Sequence, residues 1–193
     1  CPNCGSGVVI TDNIIENSGS YTGSSSIYVS NFQGDGTCNT SIPYFTDLSE
    51  VGQPPGNNPT PVTIKENTIT DGSGWGITLD AAGACLDSNT IYDSVSAMHI
   101  SGPGYSNAQS NNNIISNNAI TDNVSGISIV GSGNTFDSNV SHGSQQFGFK
   151  FDSRSQNNII TDNVADNNAQ YGFKFETDST GHLFTGNTAS GNS

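Results

Sequence analysis

One short pattern of apolar and polar positions recurs along the chain. Seven segments align on an asparagine: ITDNII, IKENTI, LDSNTI, ISNNAI, FDSNVS, ITDNVA and FTGNTA. The aligned residues are Asn13, Asn67, Asn89, Asn118, Asn139, Asn163 and Asn187, and from Asn67 on they are spaced by 22, 29, 21, 24 and 24 residues. Three positions before each stands an apolar residue: Ile10, Ile64, Leu86, Ile115, Phe136, Ile160 or Phe184. Two positions after it come Ile15, Ile69, Ile91, Ile120, Ser141, Ala165 and Ala189. Eight or nine residues after most of these asparagines follows a small residue and then strict alternation, as GITL, AMHI, GISI, GFKF and GFKF. Alternation over so few residues predicts a short strand, and nothing in the chain keeps a helical period over ten residues.

Repetition at this period predicts a solenoid. Each repeat supplies three short strands with bends between them, and successive coils stack at the inter-strand spacing of about 4.8 Å. Equivalent residues then lie above one another, so the aligned asparagines can bond up and down a ladder. A partial second ladder is expected through Asn113, Asn134 and Asn158. Side-chain volumes fit the stacking. Ile69 accompanies Ile77 and Leu79 in one repeat, whereas Ala165 accompanies Phe173 and Phe175 in another, which fills one cross-section at constant volume. The segment from Phe32 to Pro61 breaks the pattern and reads as a long surface loop inserted in a single domain covering residues 1–193.

The repeat explains a composition that would otherwise suggest disorder: only 11% of residues are charged, and Asn, Ser, Thr and Gly fill the sequence. The net charge of -13 argues against nucleic acid and anionic membrane surfaces as partners. No apolar run is long enough for a membrane span, and no signal peptide is visible. Four cysteines, Cys1, Cys4, Cys38 and Cys85, suit a secreted chain with structural disulfides, and all three pairings stay open. The CPNC start lacks a second half-site for zinc, so neither a metal nor another cofactor is expected.

The repeat resembles the right-handed parallel β-helix of the pectin-lyase-like superfamily, from about residue 7 to residue 193. The resemblance implies an all-β solenoid of about seven coils. It implies no single function, because the superfamily holds polysaccharide lyases, pectin hydrolases, alginate epimerases, phage tailspikes, adhesins and non-catalytic surface proteins. In families of this fold, the sheet equivalent to the GFKF strands often forms a polysaccharide groove.

That sheet carries the candidate site. Lys150 and Lys174 are two of only four basic residues and occupy the same place in consecutive GFKF phrases. Their outward column continues through Ser128, His99, Thr78 and Tyr28. The neighbouring column carries Trp75, Phe147 and Tyr171. Trp75, Phe147, Lys150, Tyr171 and Lys174 are the glycan-binding candidates, since aromatic faces and cations suit sugar rings and acidic groups. An enzyme acting on an acidic polysaccharide, a lyase or C5-epimerase, would draw on His99, Lys150, Tyr171 and Lys174 for charge neutralisation and proton transfer. The DPH segment of alginate epimerases and the paired-Asp and Gly-His-Gly segments of pectin hydrolases are missing. His99 reads as isolated, and Asp80, Asp152 and Glu176 read as scattered over strand ends. Asn39, in the insertion, and Asn123, in a turn, are glycosylation candidates, whereas the sequon at Asn139 falls on the buried ladder.

Neither end shows a capping helix, so the expected partners are other copies stacked head to tail or further coils of a longer chain, with polysaccharide as a further partner. The expected function is an extracellular or cell-surface structural or adhesive β-helix, self-assembling and touching glycan along one face. The alternative is the lyase or epimerase.

Overall fold

The computed structural model describes residues 8–16, 25–33, 62–101 and 110–193. These residues form twenty strands and no helix. The first sheet stacks β1 (Val8–Thr11), β4 (Val62–Lys65), β7 (Ala84–Asp87), β10 (Ile114–Ser116), β13 (Thr135–Asp137), β16 (Ile159–Thr161) and β19 (Leu183–Thr185). The second stacks β2 (Ile14–Glu16), β5 (Thr68–Thr70), β8 (Thr90–Tyr92), β11 (Ala119–Thr121), β14 (Val140–His142), β17 (Val164–Asp166) and β20 (Thr188–Ser190). The third holds β3 (Ser25–Gln33), β6 (Trp75–Ala82), β9 (Ser96–Ile100), β12 (Ser125–Ile129), β15 (Phe147–Phe151) and β18 (Tyr171–Phe175). Every pairing is parallel and joins consecutive coils, which is the solenoid the repeat predicts. β3 runs to Gln33 and so overlaps the first two residues of the expected insertion; the rest of that segment lies outside the described residues.

The bends have a local cause. The residue before each ladder asparagine has a positive φ: Asp12 (56°), Glu66 (57°), Ser88 (55°), Asn117 (53°), Ser138 (56°), Asp162 (53°) and Gly186 (68°). One left-handed residue breaks the strand sharply, and Asn, Asp and Gly tolerate that conformation best. The asparagine that follows turns inward. Asn118 is typical. Its backbone N–H and its Nδ2 donate to Asn139 Oδ1 at 3.0 and 2.9 Å, and the same Nδ2 donates to Leu86 O at 3.0 Å and Ser116 O at 2.8 Å. Polar groups that would be orphaned at an inward bend are thereby satisfied.

The main ladder joins Asn13, Asn67, Asn89, Asn118, Asn139, Asn163 and Asn187 without a break. The second runs five residues earlier. Asn113 and Asn134 donate their backbone N–H to the Oδ1 of Asn134 and Asn158, and Asn158 N–H donates to His182 Nδ1. A third, five residues after the first, was not read from the sequence. Ser94 N–H donates to Asn123 Oδ1, Ser144 N–H to Asn168 Oδ1, and Asn168 N–H to Asn192 Oδ1.

Between the ladders lies a continuous apolar column of Ile, Leu and, in the later coils, Phe. Ile64, Leu86, Ile115, Phe136 and Ile160 from the first sheet are fully buried against Ile77, Leu79, Met98, Ile127, Phe149 and Phe151 from the third. Phe149 stacks on Phe173 with centroids 4.9 Å apart, and Phe151 on Phe175 at 4.8 Å, the spacing of the coils themselves. Ala165 is fully buried in this core, and Phe173 of the same coil packs against it partly buried.

Candidate functional site

The outer face of the third sheet carries the outward residues of the GITL, AMHI, GISI and GFKF phrases. Register places Tyr28 beside Thr78, Thr78 beside His99, His99 beside Ser128, Ser128 beside Lys150 and Lys150 beside Lys174, the column read from the sequence. In the neighbouring column Phe147 pairs with Tyr171. Trp75 pairs with Ser25 and Ser96, and Ser96 with Ser125, so serines separate the tryptophan from the Phe147–Tyr171 pair. The three aromatics therefore share a column but form no single platform.

The two lysines are not available as free cations. Lys150 Nζ lies 3.7 Å from Asp152 Oδ2 and 3.5 Å from Glu176 Oε1; Lys174 Nζ lies 2.9 Å from the same Glu176 oxygen. Lys174 also sits 5.2 Å from the centroid of Tyr171. The bond to Lys174 holds the Glu176 carboxyl below its ordinary range, and the bond to Glu176 raises the Lys174 ammonium. Asp152 and Glu176, expected to be scattered, instead interleave with the lysines. The reason is elementary: residues two apart in a strand project on one face, and KFD and KFE each place an acid beside its lysine.

His99 is not isolated either. Its ring stacks on Trp75 with centroids 4.6 Å apart and planes 21° apart, both rings half-buried. Burial pushes the imidazole below its ordinary value, with Asp152 opposing and Lys150 reinforcing the shift, so His99 is neutral at neutral pH. Two outward residues in adjacent coils thus form one aromatic surface. On the same coils Asp80 is 5% exposed, and its Oδ1 has no hydrogen-bond partner among the described residues. Tyr28 Oη–H points to the other oxygen at 3.4 Å. Burial raises the Asp80 carboxyl, with the tyrosine bond partly offsetting it.

The four residues named for a lyase do not converge. Lys150, Lys174 and Tyr171 form one cluster around Glu176, while His99 belongs with Trp75, a further coil beyond Ser128. Among the described residues no group of three or more His, Cys, Asp or Glu side chains is placed to hold a metal.

Asn123 corrects an expectation. It is fully buried, its Nδ2 donates to Ile91 O at 3.1 Å and Thr121 O at 3.0 Å, and its Oδ1 accepts Ser94 N–H. The nitrogen that would carry a glycan is consumed inside the coil. The turn holds a ladder residue, which the sequon concealed. Asn139 is buried in the same manner. Asn39 lies outside the described residues, as do Cys1, Cys4 and Cys38. Cys85, 1% exposed in β7, is disulfide-bonded.

A family model described as a right handed beta helix region matches residues 55–193, more than two thirds of the chain. The chain belongs to the right-handed β-helix family. No curated protein and no solved structure matches it. Membership fixes the hand of the coil.

Proposed function

We propose that this β-helix is a structural or adhesive protein of the cell exterior whose third sheet holds an uncharged glycan. The observation that carries this reading is the Trp75–His99 stack, an outward aromatic surface spanning two coils. A sugar ring offers one face of C–H groups and a rim of hydroxyls. The aromatic pair supplies the apolar contact, and Tyr28, exposed in the column that leads to His99, stands as the hydroxyl partner. The lysines of the same sheet are satisfied by Asp152 and Glu176, and the chain carries a net charge of -13, so a polyuronate would meet repulsion without a free cation. This disfavours the lyase or epimerase reading, which needs a neutralised substrate carboxylate. The scarcity of Lys and the four cysteines support the extracellular setting.

The test is affinity electrophoresis and calorimetry against neutral and acidic polysaccharides. Binding is expected to a neutral glycan, to fall at least tenfold in Trp75→Ala, and to be unchanged in Lys150→Ala. Growth of the ultraviolet absorbance of unsaturated uronates, or binding that survives Trp75→Ala and fails in Lys150→Ala, overturns the reading in favour of the enzyme.

A further inference from the structure

Along the ladders, the residue that follows a left-handed corner donates its backbone N–H to a side chain of the next coil. Asn13 does so after Asp12, to Asn67 Oδ1 at 3.1 Å; Ser94 after Asp93, to Asn123 Oδ1 at 2.9 Å; and Asn163 after Asp162, to Asn187 Oδ1 at 2.9 Å. Two corners before the last coil break this rule. Gly72 and Asn123 follow the left-handed Asp71 and Asp122, and neither backbone N–H has an acceptor among the described residues.

The cause lies in the next coil. Val95 N–H donates to Gly72 O at 3.1 Å and Gln145 N–H to Asn123 O at 2.9 Å, so Ser94 stands over Gly72 and Ser144 over Asn123. A serine carries no amide oxygen to extend the ladder. Ser94 Oγ instead donates to Tyr92 O at 3.4 Å, and Ser144 Oγ has no partner among the described residues. Gly72 and Asn123 are buried, whereas Asp71 and Asp122 are exposed to water.

A backbone nitrogen that follows an aspartate can attack its side chain. Gly72 N would bond to Asp71 Cγ, and one carboxyl oxygen would leave as water, giving a cyclic imide. Water then reopens the ring. Cleavage between the nitrogen and Cγ restores aspartate. Cleavage between the nitrogen and the backbone carbonyl carbon leaves isoaspartate, with the chain running through Cβ and Cγ. One water leaves and one enters, so solvent is the only reactant. The attack needs the peptide after the aspartate to rotate, and a ladder bond on its N–H opposes that rotation.

We infer that Asp71 and Asp122 are sites of spontaneous isoaspartate formation in the folded chain, Asp71 the faster. Gly72 has no side chain to hinder rotation, whereas Asn123 is anchored through Nδ2 to Ile91 O and Thr121 O. The extra methylene at Asp71 enters at the corner leading into β6, whose first residue is Trp75. The inference does not rest on the glycan reading, because the chemistry is complete at the corner itself.

The chain holds its own control. ITDNV occurs at residues 120–124 and again at 160–164, with the rung missing after Asp122 and present after Asp162. The folded chain is aged near neutral pH and mapped by mass spectrometry with radical fragmentation, which tells isoaspartate from aspartate at equal mass. Isoaspartate is expected first at Asp71, and at Asp122 roughly fivefold or more faster than at Asp162, because one hydrogen bond protects the latter. In denaturant the two ITDNV sites should react alike. Ser94→Asn, which supplies the missing acceptor, should slow Asp71 alone, and Ser144→Asn should slow Asp122 alone. Equal rates at Asp122 and Asp162 in the folded chain overturn the proposal, as does an Asp71 that stays intact or ages at the same rate in folded Ser94→Asn.

Discussion

Asn158 N–H donates to His182 Nδ1 at 3.1 Å, so a histidine occupies a ladder position that Asn113, Asn134 and Asn158 fill in the preceding coils. The bond requires Nδ1 to carry no proton. Nε2 then bears it and donates to Ser179 Oγ at 2.8 Å. The ring also packs near Phe151 and Phe175, at 5.4 and 5.5 Å between centroids. Burial depresses the imidazole below its ordinary value, so the fold favours the neutral form. A depressed histidine contributes stability that is complete above its unfolded value of about 6.5 and is lost as pH falls through the folded one. The last coil should therefore fray on acidification before the middle coils do. Hydrogen exchange at pH 7.5 and pH 5 is expected to show faster exchange of the Asn158 and Leu183 amides at the lower pH. His182→Asn, which restores an acceptor that does not titrate, should abolish the difference.

A second prediction concerns the price of one missing rung. Asn139 Oδ1 accepts both the N–H and Nδ2 of Asn118, and its Nδ2 donates to Ile115 O and Asn163 Oδ1, all of them buried. Asn139→Ala removes the side chain and leaves the buried Asn118 backbone N–H without its acceptor, while Asn118 Nδ2 keeps Leu86 O and Ser116 O. A buried unpaired group costs about 1–3 kcal/mol, so destabilisation of about 1–3 kcal/mol is expected from the denaturant midpoint. Gln145→Ala, on the exposed surface, should change the midpoint little.

A narrow corner of the coil explains the glycines that open the GISI and GFKF phrases. A Cβ on Gly126 would lie 2.1 Å from Gly148 O, a backbone atom that cannot swing aside. Gly126→Ala is expected to destabilise by about 1–3 kcal/mol, the usual range for an overpacked core. The equivalent corner in the AMHI phrase already holds Ala97, fully buried, so Ala97→Gly should cost about 1 kcal/mol or less through chain entropy and a lost methyl. Thermal melts of the two variants compare them directly.

The coil itself was legible because stacking forces equivalent positions into equal environments. Asn67, Asn89 and Asn118 announce the ladder, and the Ile and Phe columns announce the core. The third ladder was obscured because Ser94 and Ser144 stand where an asparagine would otherwise recur, and a serine there reaches the next rung only through its backbone N–H. Asn123 was misplaced for the same reason, read as a turn sequon without its column. The Trp75–His99 stack was out of reach, since the two residues belong to different columns and meet only diagonally across coils. The ion cluster was different. KFD and KFE put acid and lysine two residues apart in a strand, a signal present in the sequence and left unread beside the register of the lysines.

That cluster yields the last prediction. Glu176 Oε1 serves both lysines, at 3.5 Å from Lys150 and 2.9 Å from Lys174, and Asp152 serves Lys150 at 3.7 Å. Two ammonium groups in register one coil apart would otherwise repel, and the shared carboxylate between them relieves this. Glu176→Gln keeps the shape and removes the charge. The partly exposed position limits the effect on stability. The effect on recognition is larger, because Lys174 loses its carboxylate and Lys150 keeps only the longer contact. The variant is expected to retain a polyuronate at low salt at least fivefold more strongly than the unmodified chain, and to release it as screening increases toward 0.5 M salt. Its affinity for neutral glycan should be unchanged, since Trp75 and His99 lie on other coils. Affinity electrophoresis at two salt concentrations reads both effects. If the unmodified chain holds polyuronate as firmly as Glu176→Gln does, the lysines were never masked, and the acidic-polysaccharide reading regains its footing.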